Sequence, residues 1–157
     1  MATRNNVTRL LDARNIPYQA FPLPPEKRGA LETARMLGVS PDIVFKTIVV
    51  QPANRGKPIL ALIPAELQAD LKKIARAVGE KKVTLPTQRE AERLTGLQAG
   101  GISPLALLHR GFQVLIDETA QLFDEIHISG GERGLNIRLP VAALAELCAA
   151  RFADISS

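Results

Sequence analysis

The amino-acid sequence predicts a mixed α+β fold, in which a strongly curved or barrel-like β-sheet carries peripheral helices. Short apolar segments of strand length are interspersed with amphipathic segments of helix length, and turn residues separate them. Many short strands with helices between them fit this arrangement better than a doubly wound parallel sheet. A chain of 157 residues is long enough for one ordinary domain, and no repeat or long linker divides its sequence. We therefore expect residues 1–157 to form a single domain.

The first half of the chain alternates helical and extended segments. Helical periodicity places Val7, Leu10 and Leu11 on one face, and a second helical segment ends at Gly38. The proline-rich segment between them breaks regular structure and is expected to form a loop beside a pocket. The predicted elements are a helix near 6–15, a strand near 17–21, a loop at 22–29, a helix at 30–37, a helix start at 40–42, and strands at 43–50 and 59–63.

The second half of the chain contains clear capping signals. Asp70 can cap a helix that Gly79 closes, and Thr87 with Glu90 has the spacing of a capping box. Pro140 is suited to the start of a last helix because its fixed φ angle is helical. The predicted elements are helices at 70–78 and 87–96, strands at 113–117, 125–128 and 135–139, and a final helix from Pro140.

The composition is that of a globular protein, with 46% hydrophobic and 23% charged residues. The longest apolar stretches, such as 59–63, are far too short to span a membrane. The polar start at 1–6 lacks the apolar core of a secretion signal, so we expect a cytoplasmic protein without a membrane partner. Cys148 is the single cysteine, which excludes an internal disulfide and a cysteine-based zinc site. It lies on an apolar helical stripe that is typical of core packing.

The charge distribution is compatible with a polyanionic partner but does not require one. The formal net charge is +4 and the sequence pI is about 9.6. Basic residues concentrate at 72–82, where they could contact phosphates or form a solvated helix face. With five Phe, one Tyr and no Trp, a broad base-stacking surface is not expected. The members of this basic cluster are Lys72, Lys73, Arg76, Lys81 and Lys82.

Lys46 is the leading candidate for a functional residue. It interrupts the apolar segment 43–50, and strand alternation places it on one face with Val44, Ile48 and Val50. Burying an unpaired ammonium is costly, so such a lysine is usually paired, at the mouth of a pocket, or available to an anionic ligand. The alternative is a lysine of an edge strand whose ammonium reaches water.

Two glycine-rich turns at 100–104 and 129–136 are further candidates. Backbone amides in such turns can form an anion-binding nest, although each turn alone is typical of a generic loop. The sequence contains neither a P-loop nor a dinucleotide-binding fingerprint. His109 and His127 lack the spacing of metal ligands, and Ser103 lacks a nucleophile-elbow frame. We therefore expect neither a metal site nor a serine triad.

Five segments gain meaning from their joint order along the chain. They are Val44-Phe45-Lys46-Thr47, Asp70-Leu71-Lys72-Lys73, Gly100-Gly101-Ile102-Ser103-Pro104-Leu105, Ser129-Gly130-Gly131-Glu132-Arg133-Gly134-Leu135 and Phe152-Ala153-Asp154-Ile155. Together they resemble the YbaK/EbsC family, whose members are free-standing relatives of the editing domain inserted in bacterial prolyl-tRNA synthetases. The resemblance covers nearly the whole chain.

The resemblance implies a trans-editing aminoacyl-tRNA deacylase without metal or organic cofactor, with Cys-tRNA(Pro) as the first expected substrate. Lys46 is then the essential catalytic residue, which would anchor a phosphate or polarise the ester rather than attack it. The implied partners are the acceptor end of mischarged tRNA and prolyl-tRNA synthetase. The implied substrate-binding residues are Phe45, Thr47, Gly100, Gly101, Ile102, Ser103, Pro104, Ser129, Gly130, Gly131 and Asn136.

Two positions depart from the family pattern. Cysteine-specific members carry Asp where this chain has Asn136, and asparagine cannot act as a charged partner or a general base. In that family the substrate thiol is taken to attack its own ester carbonyl, which is chemistry that asparagine permits. In the segment 22–29 the pocket aromatics of the family do not align, and Leu23 is a candidate replacement for one of them. The amino-acid preference is therefore open.

Two other functions are compatible with the sequence. A deacylase of the same class could act on Ala-, Ser- or Thr-charged tRNA, because small side-chain differences are worth only about 1–3 kcal/mol. A non-catalytic tRNA- or synthetase-binding module would keep the fold without hydrolysis. The presence of Lys46 and both glycine turns argues against the second alternative.

Overall fold

The computed structural model describes residues 4–157, so the first three residues of the polar start at 1–6 lie outside the described part. The helices of this part are α1 (Asn6–Ala13), α2 (Ala30–Leu37), α3 (Leu71–Val78), α4 (Gln88–Thr95) and α5 (Val141–Cys148). The strands are β1 (Gln19–Pro22), β2 (Phe45–Pro52), β3 (Ile59–Pro64), β4 (Val83–Thr84), β5 (Gln113–Asp117), β6 (Glu125–Ser129), β7 (Leu135–Pro140) and β8 (Arg151–Ala153). None of the helices within residues 4–157 has the length and apolarity needed to traverse a membrane.

The helix boundaries follow the capping residues. α2 has the predicted bounds and ends at Gly38, whose φ of 68° is the left-handed conformation that glycine adopts readily. The Asp70 side chain accepts from the amide of Lys73 at 3.1 Å, which starts α3 as predicted. Thr87 accepts from the amide of Glu90 at 3.2 Å and starts α4. The Glu90 carboxylate accepts a hydrogen bond from the side chain of Arg93, which lies one helical turn further along α4.

Two sheets form the fold. β1, β7 and β6 make an antiparallel three-stranded sheet, and the five-stranded sheet has the order β4-β2-β3-β5-β8. The pairs β3–β5 and β5–β8 are parallel, so the second sheet is mixed. A bridge between Val44, just before β2, and His127 of β6 connects the two sheets. The mixed α+β class is therefore confirmed, whereas the strands of residues 4–157 do not close into a barrel.

The structure differs from the sequence-based expectation at three strands, for local reasons. Residues Pro41–Ile43 form a 3₁₀ turn capped by the Ser40 side chain, so β2 begins at Phe45 and not at Ile43. The sequence also missed β4 and β8, which are two and three residues long. Strands this short are defined by the strands with which they pair. Two or three residues are too few to show an alternating pattern in the sequence.

The central strands separate two groups of core residues. Along β3, Leu60 and Leu62 point to one side, where side chains of both sheets, α1 and α5 pack together. The alternate residues Ile59, Ala61 and Ile63 point to the other side and pack against α3. All six residues of β3 are buried, which explains the continuous apolar run in its sequence.

Cys148 packs in the first of these groups and is buried, as its position on the apolar stripe of α5 predicts. Burial raises the pKa of the Cys148 thiol to about 12, because the thiolate loses its hydration. We expect its reaction with an aromatic disulfide reagent at pH 8 to be at least about a hundredfold slower in the native protein than in denaturant, since only the thiolate reacts. A native rate equal to the denatured rate would contradict this packing.

Candidate active site

Lys46 lies on a part of β2 that is paired along one edge. β3 covers that edge and places Ile63 opposite Lys46. Along the other edge, β4 pairs with β2 only at Gln51 and Pro52, and the bridge from Val44 leads to β6 at the near end. The unpaired stretch between these contacts faces the ends of β6 and β7, and a cavity forms there.

The Lys46 ammonium is half-buried and is held by a backbone carbonyl. Its Nζ donates to the carbonyl oxygen of Ala65 at 3.2 Å, and none of the ion pairs within residues 4–157 includes it. Desolvation lowers the pKa of Lys46 below its ordinary value of 10.5. An ammonium carries three N–H donors, and this bond uses one of them. The remaining donors are available to an anionic or electron-rich ligand.

The cavity beside Lys46 has a volume of about 260 Å³, near the lower end of the range for small-molecule sites. Four parts of the chain form it: β2 with the residue before it, the adjacent ends of β6 and β7, the turn at 99–102, and the start of α2 with the loop before it. The lining residues are Arg28, Gly29, Ala30, Thr33, Val44, Phe45, Lys46, Thr47, Ala99, Gly100, Ile102, Ser129 and Asn136.

The cavity brings together a majority of the residues that the resemblance singles out. Phe45, Lys46, Thr47, Gly100, Ile102, Ser129 and Asn136 line it, although they come from three separate segments. The other predicted substrate-binding residues do not line it: Gly101, Ser103, Pro104, Gly130 and Gly131. Ser103 is fully buried and its Oγ accepts from the amide of Leu105, which caps a 3₁₀ turn. Its hydroxyl therefore serves the local fold.

The two glycine turns pack directly against each other. A Cβ atom added to Gly101 would lie 2.8 Å from backbone atoms of Glu132 and Arg133. The Arg133 side chain crosses back to the first turn, where its Nε donates to the carbonyl oxygen of Ala99 at 2.7 Å. Gly101 thus allows a close backbone approach, and Gly100 beside it is left to line the cavity.

Residues at the entrance to α2 were not named as site residues from the sequence. Arg28, Gly29, Ala30 and Thr33 line the cavity, together with Val44 and Ala99. The proline-rich loop at 22–29 was predicted to lie beside a pocket, which is consistent with Arg28 and Gly29. Ala30 and Thr33 carry no signal in the sequence, because a helical segment alone does not indicate which of its residues faces a cavity.

Asn136 is joined to a buried histidine of the neighbouring strand. The Oδ1 atom of Asn136 lies 2.8 Å from Nδ1 of His127, and both residues are buried. Burial lowers the pKa of His127 below its ordinary value of 6.5, because the imidazolium would lose its hydration. His127 is therefore neutral at physiological pH. As expected from the sequence, His127 is a strand residue. Within residues 4–157, no three His, Cys, Asp or Glu side chains cluster as metal ligands.

The charged residues in the described lining of the cavity are both cationic. They are Arg28 and Lys46, and none of the lining residues is Asp, Glu, His or Cys. The hydroxyl oxygen of Thr47 is buried and has no hydrogen-bond partner among residues 4–157. The two cations suit an electron-rich ligand. The Thr47 hydroxyl is a further group for a ligand or water to bind, because a buried polar atom without a partner is costly.

The basic cluster of residues 72–82 does not line the cavity. Within it, Lys73 donates to the Asp154 carboxylate at 3.0 Å and to the carbonyl oxygen of Ser156 at 2.9 Å. This hydrogen bond to Asp154 raises the pKa of Lys73. Lys73 therefore connects α3 to the segment that follows β8. For the exposed members of the cluster, both predicted roles stay open: contact with phosphates or a solvated helix face.

The chain belongs to the aminoacyl-tRNA editing domain family, whose pattern it matches over residues 24–147. The family resemblance that the five ordered segments indicate is thereby confirmed. The match extends from the loop before α2 to the last helix and so includes every residue that lines the cavity.

Individual relatives agree with this family. The chain is 33% identical to EbsC of Enterococcus faecalis, which is named as a Cys-tRNA(Pro)/Cys-tRNA(Cys) deacylase, over 98% of this chain and 94% of that protein. It is 31% identical to the multifunctional Ser/Thr-tRNA deacylase ProXp-y of Escherichia coli K12, over 62% of this chain and 59% of that protein. The enzyme class expected from the motifs, an aminoacyl-tRNA deacylase, is the class that both names carry.

A solved structure agrees with the fold. The crystal structure of a protein described as a trans-editing enzyme for prolyl-tRNA synthetase superposes with a TM-score of 0.82. The superposition covers 99% of this chain and 99% of that chain at 24% sequence identity. This similarity confirms the mixed α+β arrangement of the editing domains.

Proposed function

We propose that residues 1–157 act as a single trans-editing domain that hydrolyses the ester of a mischarged tRNA, with Cys-tRNA(Pro) as the preferred substrate and Lys46 as the essential residue. The observation that carries this proposal is the cavity itself: an ammonium without a carboxylate partner stands in a small site whose described lining has no carboxylate, imidazole or thiol. The identity to EbsC over nearly the full chain supports the same substrate class.

The lack of a carboxylate or imidazole base in the described lining favours a substrate that supplies its own nucleophile. A cysteine thiol has a pKa of about 8.5 and ionises near neutral pH, whereas a serine hydroxyl or water does not. A nearby ammonium stabilises the thiolate further. Lys46 could therefore assist a cysteinyl ester without accepting a proton itself.

The reaction then proceeds within the substrate. The thiol releases its proton to solvent, and the sulfur attacks the ester carbonyl carbon of the same cysteine. The new C–S bond forms, the bond from the carbonyl carbon to the ribose oxygen breaks, and that oxygen takes up a proton. The products are free tRNA and a cysteine thiolactone, which water opens to cysteine. The protein positions the reacting atoms and excludes bulk water.

The lining residues divide these tasks by their chemistry. Lys46 and Arg28 are suited to the terminal phosphate and the developing oxyanion, since cations bind these groups by charge-assisted hydrogen bonds. Phe45 and Ile102 provide apolar surface for the aminoacyl side chain. Gly100, with φ of 89°, lets the backbone approach the terminal nucleoside closely.

We further propose that the acceptor end of tRNA is the main partner and that prolyl-tRNA synthetase is a second one. A chain of this size can cover little of a tRNA beyond its acceptor end. The identity of the tRNA would then be read by the synthetase in a transient complex. The exposed lysines of the basic cluster are candidates for phosphate contacts in that complex.

A second candidate substrate class is the seryl or threonyl ester, because ProXp-y is named for those esters and is 31% identical over 100 residues. A hydroxyl nucleophile or water needs a base to remove its proton. Among the lining residues, only Lys46 in its neutral form could act in this way, and its lowered pKa increases that neutral fraction. The substrate panel described next decides between the two classes.

The proposal is tested with tRNA(Pro) charged with cysteine, serine, alanine or proline, incubated with the purified protein and a chelator. We expect the cysteinyl ester to be lost at least about a hundredfold faster than the seryl ester, because thiol assistance is unavailable to serine. Faster loss of the seryl ester would support the second candidate. If tRNA binds and all esters stay at their spontaneous rates, the chain is a non-catalytic binding module.

A further inference from the structure

His127 and Asn136 form a buried, hydrogen-bonded pair at the cavity, and the reaction proposed above leaves this pair without a role. Asn136 lines the cavity, whereas His127 lies behind it on β6. The two residues are diagonal neighbours, because Asn136 faces Ser129 across the strands and His127 faces Arg138. His127 is 1% exposed, and its ring lies beside Phe21, with 5.4 Å between ring centroids.

The hydrogen bond between them determines which end of the amide faces the ligand. The amide oxygen Oδ1 can only accept, so Nδ1 of His127, at 2.8 Å, must carry the proton. The other ring nitrogen, Nε2, is buried without a partner among residues 4–157. A lone pair in that position is tolerated better than an orphaned N–H donor. Both considerations favour the tautomer in which Nδ1 donates.

We propose that His127 is a positioning residue that holds the amide of Asn136 with its NH₂ group toward the cavity, where it donates a hydrogen bond to the ester carbonyl oxygen. Because Oδ1 points toward His127, Asn136 presents its NH₂ donor, and not its oxygen, to the ligand. This inference rests on the proposed deacylase function, and it makes Asn136 a partner of the oxygen that becomes negative during attack.

A fixed NH₂ group at position 136 has the opposite electrostatic effect to that of an acidic side chain. A carboxylate at position 136 would attract the α-ammonium of the aminoacyl group, whereas a fixed NH₂ group repels it. With Arg28, Lys46 and Asn136 Nδ2 all donating, the polar part of the cavity is complementary to electron-rich oxygen atoms. The α-ammonium is then expected to point toward solvent.

The tautomer is measured directly in the unsubstituted protein by long-range ¹H–¹⁵N correlation spectra of its histidines. The exposed His109 is an internal reference, and the variant His109→Gln assigns the two sets of signals. We expect a neutral His127 that is protonated on Nδ1 near pH 7. A His127 protonated on Nε2 would overturn the proposal, since the amide would then turn its oxygen to the cavity. This measurement needs no substrate, so it is independent of the proposed function.

The effect on the ligand is measured with the variants Asn136→Asp and His127→Phe. Loss of an oxyanion donor typically reduces kcat by about 10²–10³, so we expect a drop of that size for Asn136→Asp, with KM changed much less. His127→Phe should reduce kcat about tenfold with KM nearly unchanged, because Asn136 remains but is no longer fixed. A rise in kcat/KM for Asn136→Asp would overturn the proposal by showing that the site binds the ammonium.

If no ester is hydrolysed, a stable probe shows whether the donor role of Asn136 fails together with the proposed deacylase function or holds without it. In this probe an amide replaces the ester in 3′-cysteinyl adenosine, and it is titrated against ¹⁵N-labelled protein. A shift of the Asn136 side-chain amide signal supports the donor role even when the proposed function fails. An unchanged signal at saturation would overturn it.

Discussion

Replacing Lys46 by methionine is expected to reduce the single-turnover rate of Cys-tRNA(Pro) deacylation by about 10²–10³, which is the usual cost of removing one group that stabilises developing negative charge. Methionine keeps the length of the side chain and removes its charge. The Lys46 ammonium has no carboxylate partner within residues 4–157, so the two donors that do not bind the Ala65 carbonyl are available to the substrate. The rate is measured from the loss of labelled cysteine from tRNA with enzyme in excess.

The same variant should unfold cooperatively at an equal or higher temperature. Because the pKa of Lys46 is lower in the folded chain than its ordinary value of 10.5, the unfolded chain binds more protons between these two values. The free energy of unfolding therefore rises with pH between these two pKa values. At lower pH, Lys46 is charged in the folded chain and the partly buried cation lowers that free energy. At pH 7 methionine removes this cost. A lower melting temperature would indicate that Lys46 is mainly structural.

Lys57 provides a matched control for this prediction. Its Nζ also donates to a backbone carbonyl, that of Arg110, at 2.9 Å, but Lys57 does not line the cavity. We expect Lys57→Met to leave the rate of deacylation unchanged. Equal losses in Lys57→Met and Lys46→Met would mean that net charge, and not the position of Lys46, governs the reaction.

The second large effect is expected for Gly101→Ala. A Cβ atom at this position would meet the backbone of Glu132 and Arg133 at 2.8 Å, and backbone atoms cannot move aside as a flexible side chain can. Overpacking of this kind costs about 1–3 kcal/mol. For a chain of this length, each kcal/mol lowers the melting temperature by about 2–4 °C. Separation of the two glycine turns should also reduce deacylation, since Gly100 and Ser129 line the cavity on either side.

Gly29→Ala is the control for this substitution. Gly29 lines the same cavity, but an added Cβ would meet nothing within 4 Å, and its φ of −76° is accessible to alanine. We expect a cost below about 1 kcal/mol, from the weaker N-cap that alanine provides. If Gly29→Ala and Gly101→Ala lowered the melting temperature equally, the close approach of the two turns would not be the cause.

The helices and the central strands could be predicted from the sequence because their signals are local. Gly38 and Gly79 end α2 and α3 in left-handed conformations, and Asp70 starts α3 with its side chain. The fully apolar run of β3 indicates a strand covered on both faces. The short strands β4 and β8 could not be predicted, since they depend on partners that are distant in sequence.

The site was only partly predictable for the same reason. Lys46 was identifiable because a charge within an apolar strand is conspicuous. The two glycine turns could be identified as a pair. The sequence does not show, however, that Gly100 lines the cavity whereas Gly101 packs against the other turn. The contact between His127 and Asn136 depends on the register of β6 and β7, because diagonal neighbours can be assigned only when the register is known.

The most direct test of this account is the single-turnover loss of cysteine from Cys-tRNA(Pro), measured side by side with the unsubstituted protein, Lys46→Met and buffer alone. We expect rapid loss of the ester with the unsubstituted protein and a rate near that of buffer with Lys46→Met. An ester that survives equally in all three samples, although the tRNA is bound, would contradict the assignment of this cavity as a deacylase site.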